Sequence, residues 1–389
     1  MGVDTMRFEF ATPARIIFGP GAFRDIGAIA ASFGKKALVI TSVGGAEPTK
    51  LVSQLGEQGL DCAVFPIRGE PTVDQVVEGV GIARANACDF LIGFGGGSAI
   101  DMAKAISAML TNPGELLDYL ETIGKGKSIT QPAAPVIAIP TTAGTGAEVT
   151  RNAVLASLQH KVKASLRSPL MLPRVALVDP ELTFSLPAAV TASTGMDALT
   201  QVIEPYVSVR ANPLTDALCK EAIPRAARSL ARAYEHGEDA AAREDMALTS
   251  LFGGLALANA GLGAVHGFAA PLGGTFNAPH GALCARLLAP VFEANITALK
   301  ERQPQNPVLK RYAEISQWLT GDPAASFGDA VQWLYDLCAQ LHIPGLADYG
   351  MGSKDFDELV AKSAAASSMK ANPIQLTSQE LGLILRKAL

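Results

Sequence analysis

The period of the apolar positions changes partway along this chain. Up to position 178 they gather into short runs at 15–18, 37–40, 62–66, 90–94, 136–139 and 175–178. Runs this short, rich in aliphatic and aromatic residues, read as buried strands. Between them, 48–58 and 73–86 carry helical spacing, and a further helix is expected from Met102 onward. Alternating strands and helices predict a parallel sheet covered on both faces, with ligands at the carboxyl ends of the strands. Beyond Asp179-Pro180 the strand-like runs stop. Segments 187–209, 213–234 and 243–260 now place apolar residues every three to four positions, and 304–307 reads as a polar loop between helices. The expected fold class is therefore α/β followed by all-α: a sheet domain over residues 1–185 and a helical domain over 186–389.

The junction at 92–106, Ile-Gly-Phe-Gly-Gly-Gly-Ser-Ala-Ile-Asp-Met-Ala-Lys-Ala-Ile, carries the clearest chemistry. Three glycines allow close backbone approach and positive φ, and a following helix N-terminus offers free N–H groups and a positive dipole end. Gly95, Gly96, Gly97 and Ser98 thus read as a phosphate-binding turn. A plain strand–helix turn would need one glycine, not three. A second loop, Thr141-Thr142-Ala143-Gly144-Thr145-Gly146-Ala147-Glu148, follows the 136–139 strand. It reads either as a turn capping a helix or as a second ligand contact. Two such loops favour one nucleotide lying across both.

Asp197 and Gln201 are four residues apart and share a helix face. His266 and His280 are each followed by glycine and lie in a stretch, 246–285, without formal charge apart from His. Gly, Pro, Asn and His interrupt that stretch, so a buried pair of helices in close contact fits better than a membrane span. The two imidazoles need polar partners. Either they share a metal with Asp197 or they are independently hydrogen-bonded core residues, and spacing alone leans to the second. His160, His236 and His342 lie among polar residues and are expected at the surface.

Composition narrows the classes of function. The chain has 389 residues, 49% hydrophobic and 18% charged, with a net charge of −5. That is a large, well-buried protein, and the charge argues against nucleic-acid or anionic-membrane partners. Five dispersed cysteines, none in a C-x-x-C pair, suggest reduced thiols, mostly small core residues, in the cytoplasm. Residues 1–6 show no secretory signal, and the Gly2 myristoylation pattern fails at Met6.

Taken in order, the motifs resemble the iron-containing (group III) alcohol dehydrogenases over nearly the whole chain. They are Phe-Gly-Pro-Gly-Ala (18–22), Gly-Gly-Gly-Ser-x-x-Asp (95–101), Pro-Thr-Thr-Ala-Gly-Thr-Gly-Ala-Glu-Val-Thr (140–150) and Val-Asp-Pro-Glu-Leu-Thr (178–183). Thr-Gly-Met-Asp-Ala-Leu-Thr (194–200), Gly-Leu-Gly-x-Val-His-Gly (261–267) and Asn-x-Pro-His-Gly (277–281) follow. The resemblance implies a dehydroquinate synthase-like fold, with a Rossmann-like N-terminal domain, an all-helical C-terminal domain and a cleft holding nicotinamide and metal. It implies cofactor contacts from Ser42, Gly95, Gly96, Gly97, Ser98, Asp101, Thr141, Thr142, Thr145, Lys163 and Leu182. It implies metal contacts from Asp197, Gln201, His266 and His280.

Three positions depart from the family. Position 201, usually His, is Gln201, a weaker ligand for a transition metal, so both Fe²⁺ and Zn²⁺ are kept. Ala270 stands where a second histidine of a His-x-x-x-His-Pro pattern is common. Ser42 stands where NAD-specific members carry Asp, which admits NADP beside NAD. The implied activity is a cytoplasmic, metal-dependent NAD(P) oxidoreductase, a homodimer or higher homo-oligomer, interconverting a small alcohol with its aldehyde or ketone. No separate catalytic side chain is assigned. The metal would polarise the substrate, and protons would pass through water and the nicotinamide ribose. Alternatives are a maleylacetate reductase-like enone reductase, a glycerol dehydrogenase-like polyol dehydrogenase, a dehydroquinate synthase-like lyase and a non-catalytic nucleotide sensor.

Overall fold

The computed structural model describes residues 7–44, 48–121, 123–157, 159–160, 162–276 and 278–389. Residues 1–6, where the signal and acylation readings fall, and Asn277 of the last motif lie outside the described residues. Six strands form one parallel sheet: β1 (Arg15–Phe18), β2 (Lys36–Ser42), β3 (Asp61–Ile67), β4 (Phe90–Gly95), β5 (Val136–Pro140) and β8 (Val175–Val178). Their order is β1-β8-β5-β4-β2-β3. Helices α1 (Ile26–Ala30), α2 (Thr49–Glu57), α3 (Val73–Ala85), α4 (Gly97–Thr111) and α5 (Leu116–Tyr119) connect or flank them.

Alternation within β2 shows how the sheet buries both faces. Ala37 and Val39 pack with Ile26, Leu51 and Leu55 of α1 and α2. Leu38 and Ile40 pack with Val76, Val80, Ala103 and Ile106 of α3 and α4. Fully burying each such aliphatic side chain contributes about 1.5–3 kcal/mol. The chain leaves β2 toward β3 on one side and returns to β4 on the other, so β2 and β4 flank the switch point of the sheet. Ligands of open parallel sheets bind there. Ser42 and Gly95 end those two strands.

Two expectations need correction. Helix α4 starts at Gly97, five residues before Met102. Its first turn is made by the glycine motif itself, which propensity disfavours and which the packing of Ala99 and Ile100 onto β4 and β5 overrides. The sheet region is also not all parallel. β6 (Asn152–Ser157) and β7 (Val162–Arg167) form a separate antiparallel pair. It escaped the sequence reading because its apolar face, Ala153, Leu155, Ala164 and Leu166, carries no β-branched residue.

After β8 the described chain is helical. α6 (Ala188–Val207), α7 (Pro213–Glu235), α8 (Ala240–Ala260), α9 (Ala264–Thr275), α10 (His280–Arg302), α11 (Val308–Thr320), α12 (Phe327–Gln340), α13 (Phe356–Ala365) and α14 (Ser378–Ala388) share one large core. The uncharged stretch spans parts of three helices, not two, because α8 and α9 meet at a 98° bend. α10 is long and apolar enough to cross a membrane, but most of its apolar stretch is buried, so it serves as a core helix. His160, His236 and His342 are exposed. Val149, Ala176 and Val178 meet Ala247, Leu251 and Leu255, joining the sheet region to α8.

Candidate cofactor and metal site

On the sheet side the site is made by main chain. Gly95 has φ +153°, a conformation L side chains rarely adopt, and an added Cβ would lie 2.9 Å from Ala99 Cβ. It is the one glycine of the triplet with positive φ; Gly96 has φ −72° and Gly97 is helical. Ser42 Oγ would lie 3.5 Å from the same Cβ, so Ser42 borders this turn. Helix α4 has no side-chain cap and no acidic residue in its first turn, which leaves its positive end for an anion. Ser98 is half-buried within that turn.

The second loop lies against the first. Thr141 N–H donates to Gly95 O at 3.0 Å. Cβ atoms added at Gly96 and Gly97 would lie 3.4 Å from Thr142 and 2.7 Å from Thr145 Oγ1. Asp101 instead serves the framework: Oδ1 pairs with Lys104 Nζ at 2.9 Å and Oδ2 accepts from Val154 N–H at 3.0 Å. Lys104 is buried and also donates to Ala147 O and Thr150 Oγ1. Lys163 pairs with Glu70 at 2.6 Å and fills the space beside Gly273 of α9. Leu182 packs with the cluster of Phe23, Ile139 and Leu177. Motifs 18–22 and 178–183 converge because Asp179 accepts from Gly21, Phe23 and Glu181 N–H groups.

This loop also reaches the helices. A Cβ at Gly144 would lie 2.7 Å from Thr194 Cβ, and one at Gly146 only 2.4 Å from Gly254 Cα. Thr194 precedes Asp197 by less than one turn of α6.

On the helical side the site is made by side chains. Asp197, Gln201 and Glu204, at i, i+4 and i+7, lie along one face of α6 and are all buried. His266 stands in the first turn of α9 and His280 opens α10. The glycine after His280 has a steric cause: a Cβ at Gly281 would lie 2.1 Å from Ser193 O, so α10 can approach α6 here only through glycine. Asp197 Oδ1 is 3.3 Å from His266 Nε2 and 3.8 Å from His280 Nε2. The histidines are therefore not independent core residues. Cys284 lies with them, and one ligand atom from each of Asp197, His266, His280 and Cys284 falls within 4.8 Å of the others.

Glu204 was not read from the sequence, although its place on the Asp197 face was visible there. Its Oε2 is 2.7 Å from His266 Nδ1, and its Oε1 accepts from Val265 N–H at 2.7 Å. An ionised carboxylate only accepts, so it holds the proton on Nδ1 and turns the Nε2 lone pair toward Asp197. Two acceptors then face each other at 3.3 Å, which calls for a cation between them. A proton can fill that role: burial opposes charge on His266, but Cys284, Glu204 and Asp197 outweigh it and raise its pKa well above the ordinary value. Burial likewise works against the Asp197 anion, yet His266, His280 and Cys284 hold its pKa below the usual range. Asp197 Oδ1 and Gln201 Oε1 are buried without a hydrogen bond. This acceptor-rich, buried donor set fits a divalent metal. Ala270, one turn after His266, is exposed.

Family models match in two consecutive parts. Residues 13–180 match iron-containing alcohol dehydrogenase, and residues 191–389 match the C-terminal part of the Fe-containing alcohol dehydrogenase family. The 1,3-propanediol dehydrogenase of Klebsiella pneumoniae is 36% identical, covering 98% of each chain. The NAD-dependent methanol dehydrogenase of Bacillus methanolicus is also 36% identical, over 98% of this chain and all of that one. A crystal structure of 1,3-propanediol oxidoreductase superposes with a TM-score of 0.90 at 35% identity, over 99% of this chain and 100% of the other.

Proposed function

The chain belongs to the iron-containing alcohol dehydrogenase family, and from that premise we propose that its NAD(H) lies across the β2–β4 crevice and its metal among Asp197, His266 and His280. It is an NAD-dependent, metal-containing oxidoreductase interconverting a small alcohol with its carbonyl compound. One observation carries the site reading: Asp197 Oδ1 lies 3.3 Å from His266 Nε2, and Asp197 Oδ1 and Gln201 Oε1, both buried, lack a hydrogen bond.

When bound, the metal supplies Lewis-acid charge at the substrate oxygen and the nicotinamide accepts or donates the hydride. The chain's own groups do the rest. The α4 N-terminus with Gly95–Ser98 and the loop with Thr141, Thr142 and Thr145 bind the pyrophosphate, and Ser42 faces the adenosine ribose. Lys163 and Leu182 complete the cofactor wall, and Asp101 holds Lys104 and the Val154 N–H behind it. Glu204 holds His266 in one tautomer and orientation. His280, 38% exposed, forms the cleft-facing side of the metal pocket. Residues 1–185 form the nucleotide half and 186–389 the metal half.

Iron-type metal and NAD follow from the family; Zn²⁺ and NADP are finer readings supported by Gln201 and Ser42. The relatives' names favour short alcohols and diols as substrates. Five free cysteines support a reducing, cytoplasmic setting. The exposed Ile16 on the edge strand β1 supports a homo-oligomer. Elemental analysis of purified wild type, His266→Ala and His280→Ala, beside NAD(P)H-linked assays on short alcohols, diols and aldehydes, tests the reading. Each variant should lose metal and activity while staying folded. Full metal occupancy in both would overturn the ligand assignment.

A further inference from the structure

Cys284 adds to the cluster a donor that the family resemblance does not supply. It is fully buried and sits one turn after His280, so both side chains leave the same face of α10. Its Sγ is 3.7 Å from His280 Nε2 and 3.8 Å from His266 Nε2. A tetrahedral ion with metal–nitrogen bonds of about 2.0–2.1 Å and a metal–sulfur bond of about 2.3 Å has ligand–ligand edges of roughly 3.3–3.6 Å. The separations of Asp197 Oδ1 and Cys284 Sγ from the two imidazole Nε2 atoms, 3.3 to 3.8 Å, lie within about half an ångström of those edges, and all four ligand atoms fall within 4.8 Å of one another. The buried Asp197 Oδ1, without a hydrogen bond, points to an ion as the shared partner.

We propose that Cys284 is the fourth protein ligand of the metal, a thiolate taking the place of the imidazole missing at Gln201. On binding, the Cys284 S–H bond breaks, its proton leaves to solvent and the sulfur–metal bond forms, with no change of oxidation state. The ligand set then carries two negative charges, from Asp197 and Cys284, where three imidazoles and one carboxylate carry one. A softer, more anionic set shifts preference toward thiophilic ions such as Zn²⁺. The inference rests on the reading that the resident metal sits at this cluster, and the test separates the two.

The probe is Co²⁺ added to chelator-stripped protein. One equivalent should bind and give an intense near-ultraviolet thiolate-to-cobalt charge-transfer band in wild type. Cys284→Ser should keep the visible cobalt bands and lose that one. Cys284→Ala should bind Co²⁺ at least ~10-fold more weakly, the least that even an outer-shell partner costs. Gln201→His placed in Cys284→Ala should restore affinity without restoring the band. Stoichiometric Co²⁺ in wild type with no charge-transfer band overturns the role of Cys284 and leaves the site reading standing. Failure of wild type to bind Co²⁺ overturns both. Because the decisive signal is read on wild type, misfolding of a variant cannot stand in for it.

Discussion

The two halves of the proposed site are built from different materials. The nucleotide half uses main chain: a glycine at positive φ, an uncapped helix start and a threonine loop packed directly on the glycines. The metal half uses side chains brought together from α6, α9 and α10, between positions 197 and 284. A main-chain site fails when a Cβ is added and tolerates changes of side chain. A side-chain site fails when a donor or its support is removed, wherever that support lies. Each half should therefore be separable from the other by a single substitution.

The largest separation is expected at Glu204, which touches only the metal half. It caps α9 through Val265 N–H and holds His266 through Nδ1. Glu204→Ala should weaken metal binding by about 10–100-fold, the usual cost of losing a carboxylate behind a ligating histidine. NADH affinity, read by fluorescence titration, should stay at the wild-type value. Glu204→Gln keeps an acceptor and should recover part of the loss, which a purely structural role would not require. A parallel fall in NADH binding would break the division, and the Gly146–Gly254 contact would be where the halves communicate.

Gly95→Ala is the mirror experiment and should act more weakly. Forcing φ +153° on alanine beside Ala99 costs on the order of 1–3 kcal/mol of strain, relieved by moving the turn away from its binding geometry. NADH should bind about tenfold more weakly, since 1.4 kcal/mol is a factor of ten. Metal content by elemental analysis should not change. Gly96, with ordinary φ and a Cβ site 3.4 Å from Thr142, should respond less than Gly95. Equal losses at both positions would mean that ligand contact, not backbone strain, governs this turn.

The same contrast explains what could be read in advance. The glycine turn is contiguous, so sequence spacing exposed it, and strands such as Val175–Val178 were found at their observed limits. The early start of α4 was hidden, because glycines score against helix while packing onto β4 fixes it. Asp197, His266 and His280 were legible through an i, i+4 pair and two His-Gly steps, but their convergence was not. Steric facts such as Ser193 O standing 2.1 Å from a Cβ at Gly281 appear only when helices dock. Cys284 and Glu204 carried helical-face signals of their own, four residues after His280 and seven after Asp197. Cys284 passed as a small core residue because burial and ligation favour the same small side chain, and Glu204 was not singled out.

The smallest effect separates two uses of the nucleotide half itself. Ser42 ends β2 beside Gly95, at the switch point where a ribose would lie. A serine hydroxyl can both donate and accept hydrogen bonds and carries no charge, so it neither selects a 2′-hydroxyl nor repels a 2′-phosphate. Aspartate at this position accepts from the ribose and repels the phosphate, and negative selection of this kind acts on the rejected ligand more than on the accepted one. Ser42→Asp should therefore leave kcat/KM for NAD within about twofold and lower it for NADP several-fold, on the order of 1 kcal/mol for a partly exposed charge. Metal content should be untouched, because Ser42 stands at the end of β2 beside Gly95, on the sheet side. A ratio of the two kcat/KM values equal to that of wild type would mean that Ser42 does not face the ribose, and cofactor choice would then have to be sought elsewhere along the wall of the crevice.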